Sequence, residues 1–322
     1  MNLNQLEILQ LLQETGYNLT NVAKKMNIVQ SAVSRQLITL EEEIGSPLFE
    51  RHGKRLLGPT PLGERILEEV TLVNQAKLNI RALADDFLDN RNGMLHIATT
   101  HTQAKYFLPA PISKFREYFP GIKIYIEQSS PGNLIALLHQ HKADIAICTE
   151  NMGQDEKLVI KPCYQWHHIA VVPKSHPLTK GGVSLERLAT FPILTYSRGF
   201  TGRSNIEMAF EHAGIDWDIT LAAADSDVIK TYVRLGFGVG IIAAPSYEPG
   251  LDSDLVALDL TQLIPPSTTK FAYLRQSYLP TFTRFFIEQL QASSQVKAST
   301  AALGKANQFT PRHKKADVTT TR

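Results

Sequence analysis

The chain has 322 residues, 43% of them hydrophobic and 20% charged, with 33 Lys and Arg against 31 Asp and Glu. That balance excludes a disordered chain, a collagen-like repeat and a disulfide-stapled scaffold, and the length suits two or three domains with a substantial core. Two cysteines, Cys148 and Cys163, suit a reducing compartment. The start lacks a basic region followed by an apolar one, and no apolar run approaches the roughly 20 residues of a membrane span. A cytoplasmic protein with no membrane partner is expected.

Residues 1–60 read as short helices. Leu6, Leu9 and Leu12 give a first apolar face, Gly16 and Asn18 break it, and Thr20 is the expected N-cap of a second helix over Thr20 to Met26. A third helix runs from about Gln30 to Glu43, with Val33, Leu37, Leu40 and Ile44 recurring three and four apart as one buried stripe. Gln30, Ser31, Ser34 and Arg35 lie off that stripe near the helix start. Gln pairs bidentately with adenine, Arg with guanine, and Ser with either or with phosphate, so this face suits major-groove reading of double-stranded DNA. Two short helices about a tight turn make a helix-turn-helix. The segment Arg51-His-Gly-Lys-Arg55 reads as a basic wing, with Arg51 and Lys54 toward the duplex. Local charge is balanced, so binding depends on segregation of charge between faces. A small helical bundle without DNA would show a similar stripe.

Residues 61–92 form one long helix in which Ile66, Val73, Ile80 and Phe87 fall seven apart. A heptad stripe of this length wants a partner helix, although a helix lying on its own domain would also bury one. A dimer would present two reading heads to a roughly two-fold target. Asn92-Gly93 marks the main boundary.

From 93 to 292 strands and helices alternate: strands over Met94–Ala98, Lys123–Gln128 and Asp144–Cys148, helices over Gln103–Tyr118 and Gly132–Gln140. The fold class is α/β, with a parallel sheet covered on both faces and ligands beyond the carboxyl ends of the strands. Thr99-Thr-His-Thr-Gln103, Gln128-Ser-Ser-Pro131, Thr149 and Tyr196–Ser204 follow such ends or open helices. They bring hydroxyls and free backbone N–H groups toward one place, which suits a small oxyanion; each threonine alone would be read as a cap. A first lobe is expected over about 93–162 and 266–292, and a second over about 163–265. Beyond 293 the chain is basic and poor in apolar residues, which reads as a disordered tail.

The runs Thr20-Asn-Val-Ala23, Val29-Gln-Ser-Ala-Val-Ser-Arg-Gln-Leu37, Pro47-Leu-Phe49 and Thr60-Pro-Leu-Gly63 resemble the N-terminus of LysR-type transcriptional regulators. The resemblance implies a winged helix-turn-helix, a long linker helix and a two-lobed periplasmic-binding-protein-like effector domain. It narrows at Ile97–Tyr106, Pro162-Cys-Tyr-Gln-Trp166, Gly199–Ser204, Asp227–Gly236 and Ser267-Thr-Thr-Lys270, which look like the cysteine-regulon activators, the CysB/Cbl subgroup. That implies a tetrameric regulator of sulfur assimilation genes, a dimer of dimers that contacts RNA polymerase and has no cofactor beyond a small effector. Members respond variously to acetylated serines, sulfate, thiosulfate or adenosine phosphosulfate. Matching positions carry over as effector contacts: Thr100, Thr102, Gln103, Thr149 and Thr201, with Ser130 and Trp166 at the pocket wall. Ser31 stands where many members have Pro, Ser129 where close relatives often have Gly, and Gln165 and His167-His168 differ from the usual neighbours of Trp166.

Other readings start from the same residues. A Cys–His nucleophile would use Cys148 or Cys163 with His101, His167 or His168, but no third orienting group stands at a recognisable spacing. His139, His141, His167 and His168 lack the spacing of a zinc site. A thiol redox sensor needs the two sulfurs close in space. A two-lobed solute-binding protein would have no use for the N-terminal reading head, and a regulator of the same family could sense sulfonates or another anion.

Overall fold

Caps set the first helices. In the computed structural model, which describes residues 1–292 apart from 54, 89–91, 150, 151 and 154, the expected DNA contact Lys54 and the expected tail over 293–322 lie outside the described residues. Helix α1 (Leu3–Glu14) starts at a reciprocal capping box between Asn2 and Gln5. Helix α2 (Leu19–Met26) is capped by Asn18, whose side chain accepts from the backbone N–H groups of Thr20 and Asn21. Thr20, the expected cap, is thus already inside the first turn: Asn18 has the extended backbone and short acceptor that a cap requires. Asn27 then takes the left-handed conformation (φ 55°) and ends α2 sharply. Helix α3 (Gln30–Ile44) buries Val33, Leu37 and Leu40 against Ile8, Leu9, Leu12 and Val22. Strands β1 (Phe49–His52) and β2 (Arg55–Pro59) pair antiparallel as a wing.

Helix α4 (Pro61–Leu88) changes character along its length. Leu67 and Val70 are in the core of the first unit and Ile66 packs against it. Gly63 makes the approach possible, because a Cβ there would lie 2.0 Å from the Leu48 carbonyl oxygen. Further along, Ile80, Leu83 and Phe87 are exposed, Phe87 by 88%. The heptad stripe therefore divides: Ile66 packs on its own unit, whereas Val73, Ile80 and Phe87 face outward. Contacts divide the chain into two units, Met1–Leu88 with Gln276–Leu279, and Asp89–Arg275 with Pro280–Arg322. The segment Gln276–Leu279, expected in the first lobe, joins α4 because the Tyr278 hydroxyl donates to Asp86 (2.8 Å) and the Asn79 amide donates to the Gln276 carbonyl (2.6 Å).

The second unit begins with β3 (Gly93–Thr99), α5 (His101–Tyr106), α6 (Pro109–Tyr118), β4 (Ile122–Gln128), α7 (Pro131–His139), β5 (Ile145–Cys148) and β6 (Leu158–Trp166). The single helix expected over Gln103–Tyr118 is two, because Pro109 cannot donate into a continuous helix and instead opens α6. There follow β7 (His168–Pro173), α8 (Leu185–Ala189), β8 (Ile193–Tyr196), α9 (Arg203–Ala213), β9 (Ile219–Ala223), α10 (Ser226–Arg234), β10 (Val239–Ala243), β11 (Leu255–Asp259), β12 (Ser267–Leu274) and a helix α11 over 281–292. One sheet runs β4-β3-β5-β12-β6 and the other β11-β7-β10-β8-β9. Parallel pairs β3–β4, β3–β5, β8–β9 and β8–β10 build the centre of each lobe. The antiparallel β6 and β12 carry the chain across and back.

The crossover differs from the one expected. Strand β6 pairs with β12 from Leu158 to Trp166, so Cys163, Tyr164 and Trp166 belong to the first sheet and the chain leaves it after Trp166, not at 163. The two cysteines sit on β5 and β6 with β12 between them. Two strand spacings come to about 9.6 Å, beyond the reach of a disulfide. Both cysteines are buried and neither is in a disulfide.

Candidate functional site

Hydroxyls and amides from four strand ends meet at the gap between the lobes. Thr100 caps α5 without a side-chain bond, and Thr102 and Gln103 in its first turn are buried, at 3% and 1% exposure. The Gln103 amide donates to Thr149 Oγ1 (3.3 Å) at the end of β5, and the Tyr164 hydroxyl donates to Gln103 Oε1 (2.8 Å). Thr149 and Thr269 share a hydrogen bond of 3.0 Å, and the Trp166 indole N–H donates to Thr269 Oγ1 (3.1 Å). Five side chains from α5, β5, β6 and β12 are thereby cross-linked. Burial pushes the Tyr164 hydroxyl above its usual range, outweighing its bonds to Thr269 and Gln103, so it stays a neutral donor.

The second lobe supplies the turn before α9. Thr201 is buried in a left-handed conformation (φ 44°), which a branched residue rarely adopts, and Gly202 follows at φ 71°. A Cβ on Gly202 would lie 2.4 Å from Ser267 Oγ and 3.0 Å from the His168 ring, so only glycine lets this turn close on the crossover strands. His168 is fully buried, edge-on to Trp166, and its Nε2 faces the Thr201 carbonyl at 3.4 Å. Burial lowers its pKa to about 4, so the ring is neutral. The Asn205 amide donates to Ser267 Oγ (3.0 Å) and to the Pro266 carbonyl (3.2 Å), fastening α9 to the returning strand.

Between these elements lies a cavity of about 600 Å³ whose walls include Thr149, Gly202, Asn205, Ser267 and Lys270. The size suits a small ligand, and Lys270 is the one charged residue among the lining side chains. Of the expected contacts, Thr149 lines the cavity directly. Gln103 stands one hydrogen bond behind it and Thr201 adjoins the lining residue Gly202. Trp166 is buried, with its N–H spent on Thr269. Ser130 is exposed, at the start of α7 beside the lining residues Pro131 and Gly132, and makes no capping bond. Two buried atoms here have no partner among the described residues, Thr102 Oγ1 and His168 Nδ1. A buried polar atom without a partner is uncommon in a native protein and marks a place where a ligand or water completes the site.

Thr269, Tyr164, Asn205 and Lys270 were not singled out from the sequence as contacts. A signal exists in β12, where Ser267, Thr269 and Phe271 are the buried alternate positions. Two hydroxyls on the inward face of a strand are out of place in an apolar core.

The first unit carries a different surface. Gln30, Ser31 and Arg35 are exposed on α3, Ser34 is half-buried, and none makes a side-chain hydrogen bond or ion pair among the described residues. Arg51 is not free: its guanidinium bonds Glu41, which also accepts from the backbone N–H groups of Leu48 (2.8 Å) and Phe49 (3.3 Å). It fixes the wing to α3.

The nucleophile reading finds no support in this geometry, because burial pushes the Cys163 thiol up to about 12, opposite to activation. Among the described residues His101, Asp225 and Asp227 cluster closely enough to hold a metal ion. However, Asp225 accepts the backbone N–H groups of Asp227 and Val228, and Asp227 already holds Lys105 and Tyr106. No described helix is long and apolar enough to cross a membrane.

Residues 3–64 match the family described as bacterial regulatory helix-turn-helix protein, lysR family, and residues 89–295 match the LysR substrate binding domain. The chain is 41% identical over 289 residues to the HTH-type transcriptional regulator SsuR of Burkholderia cenocepacia, covering 89% of this chain and 94% of that protein. It is 39% identical over 311 residues to the regulator CysB of the same organism, covering 96% and 99%. The crystal structure of the cofactor-binding domain of the Cbl transcriptional regulator superposes with a TM-score of 0.61 at 40% identity, over 65% of this chain and 93% of that one.

Proposed function

The chain belongs to the LysR family of bacterial transcriptional regulators, and from that premise we propose that it controls genes of sulfur assimilation in response to a small sulfur-pathway metabolite or oxyanion held between its lobes. Family members bind DNA and small-molecule effectors and form oligomers. The kinship with SsuR, CysB and Cbl at about 40% identity supports the sulfur assignment. One structural observation carries the sensor reading: Thr102 is 97% buried and its hydroxyl has no partner among the described residues, beside a network whose other groups are already bonded. A tetrahedral oxyanion such as sulfate, or the ester or amide of an acetylserine, would supply the missing bond, with Lys270 offering the compensating charge.

Gln30, Ser31, Ser34 and Arg35 read the major groove, with Arg51 and Lys54 on the wing. Thr100, Thr102, Gln103, Thr149 and Thr201 contact the effector, and Ser130 and Trp166 shape its surroundings. The outward-facing Val73, Ile80 and Phe87 of α4 pair two chains, and two such dimers make a tetramer in the cytoplasm, where the chromosome lies. An effector with higher affinity for one lobe arrangement shifts the population and alters how the assembly holds DNA and meets RNA polymerase.

The test is thermal unfolding of the full chain with sulfate, thiosulfate, O-acetylserine, N-acetylserine and adenosine phosphosulfate in turn. A ligand at about 100 times its Kd adds roughly 2.7 kcal/mol, a rise of a few degrees. The expected result is a shift with one of them that Thr102→Val removes while operator binding is kept. A shift that survives Thr102→Val would sink the assignment of the site.

A further inference from the structure

Helix α5 serves two partners. Thr102 and Gln103 belong to the cleft, whereas His101, Lys105 and Tyr106, spaced so that the first two share a helix face, reach across to α10 of the other lobe. There they meet one residue. Asp227 Oδ2 lies 2.8 Å from Lys105 Nζ and 3.2 Å from His101 Nε2, and Oδ1 accepts from the Tyr106 hydroxyl at 2.6 Å. Both carboxylate oxygens are thus spent on the opposite lobe. Burial alone would raise the pKa of this carboxyl, but the bonds from Lys105, Tyr106 and His101 and the charge of Lys230 outweigh it and hold the group well below the usual carboxylate range. Asp227 is thus held in its charged form, with the hydrogen bonds to it coming from the first lobe.

Among the described residues, the Asp227 carboxylate makes no hydrogen bond within the second lobe, only the 3.5 Å contact with Lys230. Helix α10 is capped by Asp225, which accepts the backbone N–H groups of Asp227 and Val228. The buried Lys230 has Asp252 Oδ2 and the Ser246 carbonyl, each at 2.8 Å, and only a longer contact with Asp227 at 3.5 Å. Lys230 itself backs Tyr106, with its Nζ 3.3 Å from the hydroxyl and 5.5 Å from the ring centre. The crossing bonds therefore hold lobe to lobe, and their first-lobe ends sit on the helix that carries the cleft's unpartnered hydroxyl.

We propose that Asp227 is a latch that keeps the two lobes together without an effector, and so sets how much of the sensor is closed before any ligand arrives. The latch stands on these contacts alone; its consequence for output rests on the cleft being the effector site. A sensor held closed by its own side chains has a binding-competent state that is already populated, and releasing the latch taxes every ligand of the cleft by the population lost. It also lowers whatever part of the response needs no effector.

The experiment is hydrogen exchange on the full chain with no ligand added, comparing wild type with Asp227→Asn and with the double variant Lys105→Met, Tyr106→Phe. Exchange reports local opening of each segment. Both variants are expected to raise exchange in 101–106 and in 226–234 together, on the order of tenfold, with the first unit unchanged. The double variant approaches the same contact from the opposite lobe, so it decides the matter even if Asp227→Asn folds poorly. If 101–106 exchanges as in wild type, or if only 226–234 responds in either variant, the latch is refuted and Asp227 is merely a local feature of α10. Because no ligand is present, this result and the Thr102→Val result can fail independently.

Discussion

The exposed N-terminal face of α3 and the cleft between the lobes are both built from hydrogen-bonding side chains, yet they hold them in opposite states. Gln30, Ser31 and Arg35 stand exposed and unbonded, whereas Gln103, Tyr164, Trp166, Thr149 and Thr269 are already joined by hydrogen bonds of 2.8–3.3 Å. On the proposed function, the first surface gives up water and side-chain freedom only when a duplex arrives. The second has met that cost in folding, and on the proposed function it would discriminate by the atoms that lack a partner among the described residues, Thr102 Oγ1 and His168 Nδ1.

Five substitutions test this contrast. The largest effect is expected where the reading head must be rigid behind its free tips. Gly63→Ala drives a Cβ into the Leu48 carbonyl oxygen, an atom of the backbone that cannot step aside, and should cost about 3 kcal/mol in urea unfolding of the full chain. Next is His168, buried and neutral. Its pKa is about 4 in the fold and near 6.5 unfolded, so the unfolded chain binds the extra proton, and stability falls as pH drops from about 6.5 toward 4. That single group contributes up to about 3 kcal/mol of the decline. His168→Phe should flatten the stability–pH curve in that window; an unchanged slope would mean the ring is not held neutral.

Arg35→Ala should weaken operator binding by about 2 kcal/mol at fixed salt and relax the preference at one base position, while leaving the thermal shift with effector intact. Loss of that shift would break the separation between the two surfaces. The smallest effect concerns the cap of α2. Asn18→Ala should lower stability by about 1 kcal/mol and Thr20→Ala by much less; equal effects would return the cap to Thr20.

Much of the first unit was legible from local pattern. The stripe Val33, Leu37, Leu40 marks the buried side of α3 and, by default, the side left to solvent. The cap was misplaced by two residues because Asn18 and Thr20 are both good acceptors, and only the backbone angles at Asn18 decide between them. The heptad series of α4 left open whether it packs on its own unit or on a partner helix, and only the structure divides it, with Ile66 on the unit's own core and Ile80 and Phe87 exposed.

By itself the sequence determined the strand–helix alternation, the threonines at strand ends and the family to which they point, since period and turn chemistry act over a few residues. Tertiary structure alone decided the rest. Thr269 and Tyr164 enter the cleft because β12 returns between β5 and β6, making neighbours of residues about a hundred positions apart. Asp227 meets Tyr106 across 121 positions for the same reason. Contacts of that separation leave no local period, because they are set by which sheet edge the chain rejoins and not by what precedes or follows each residue.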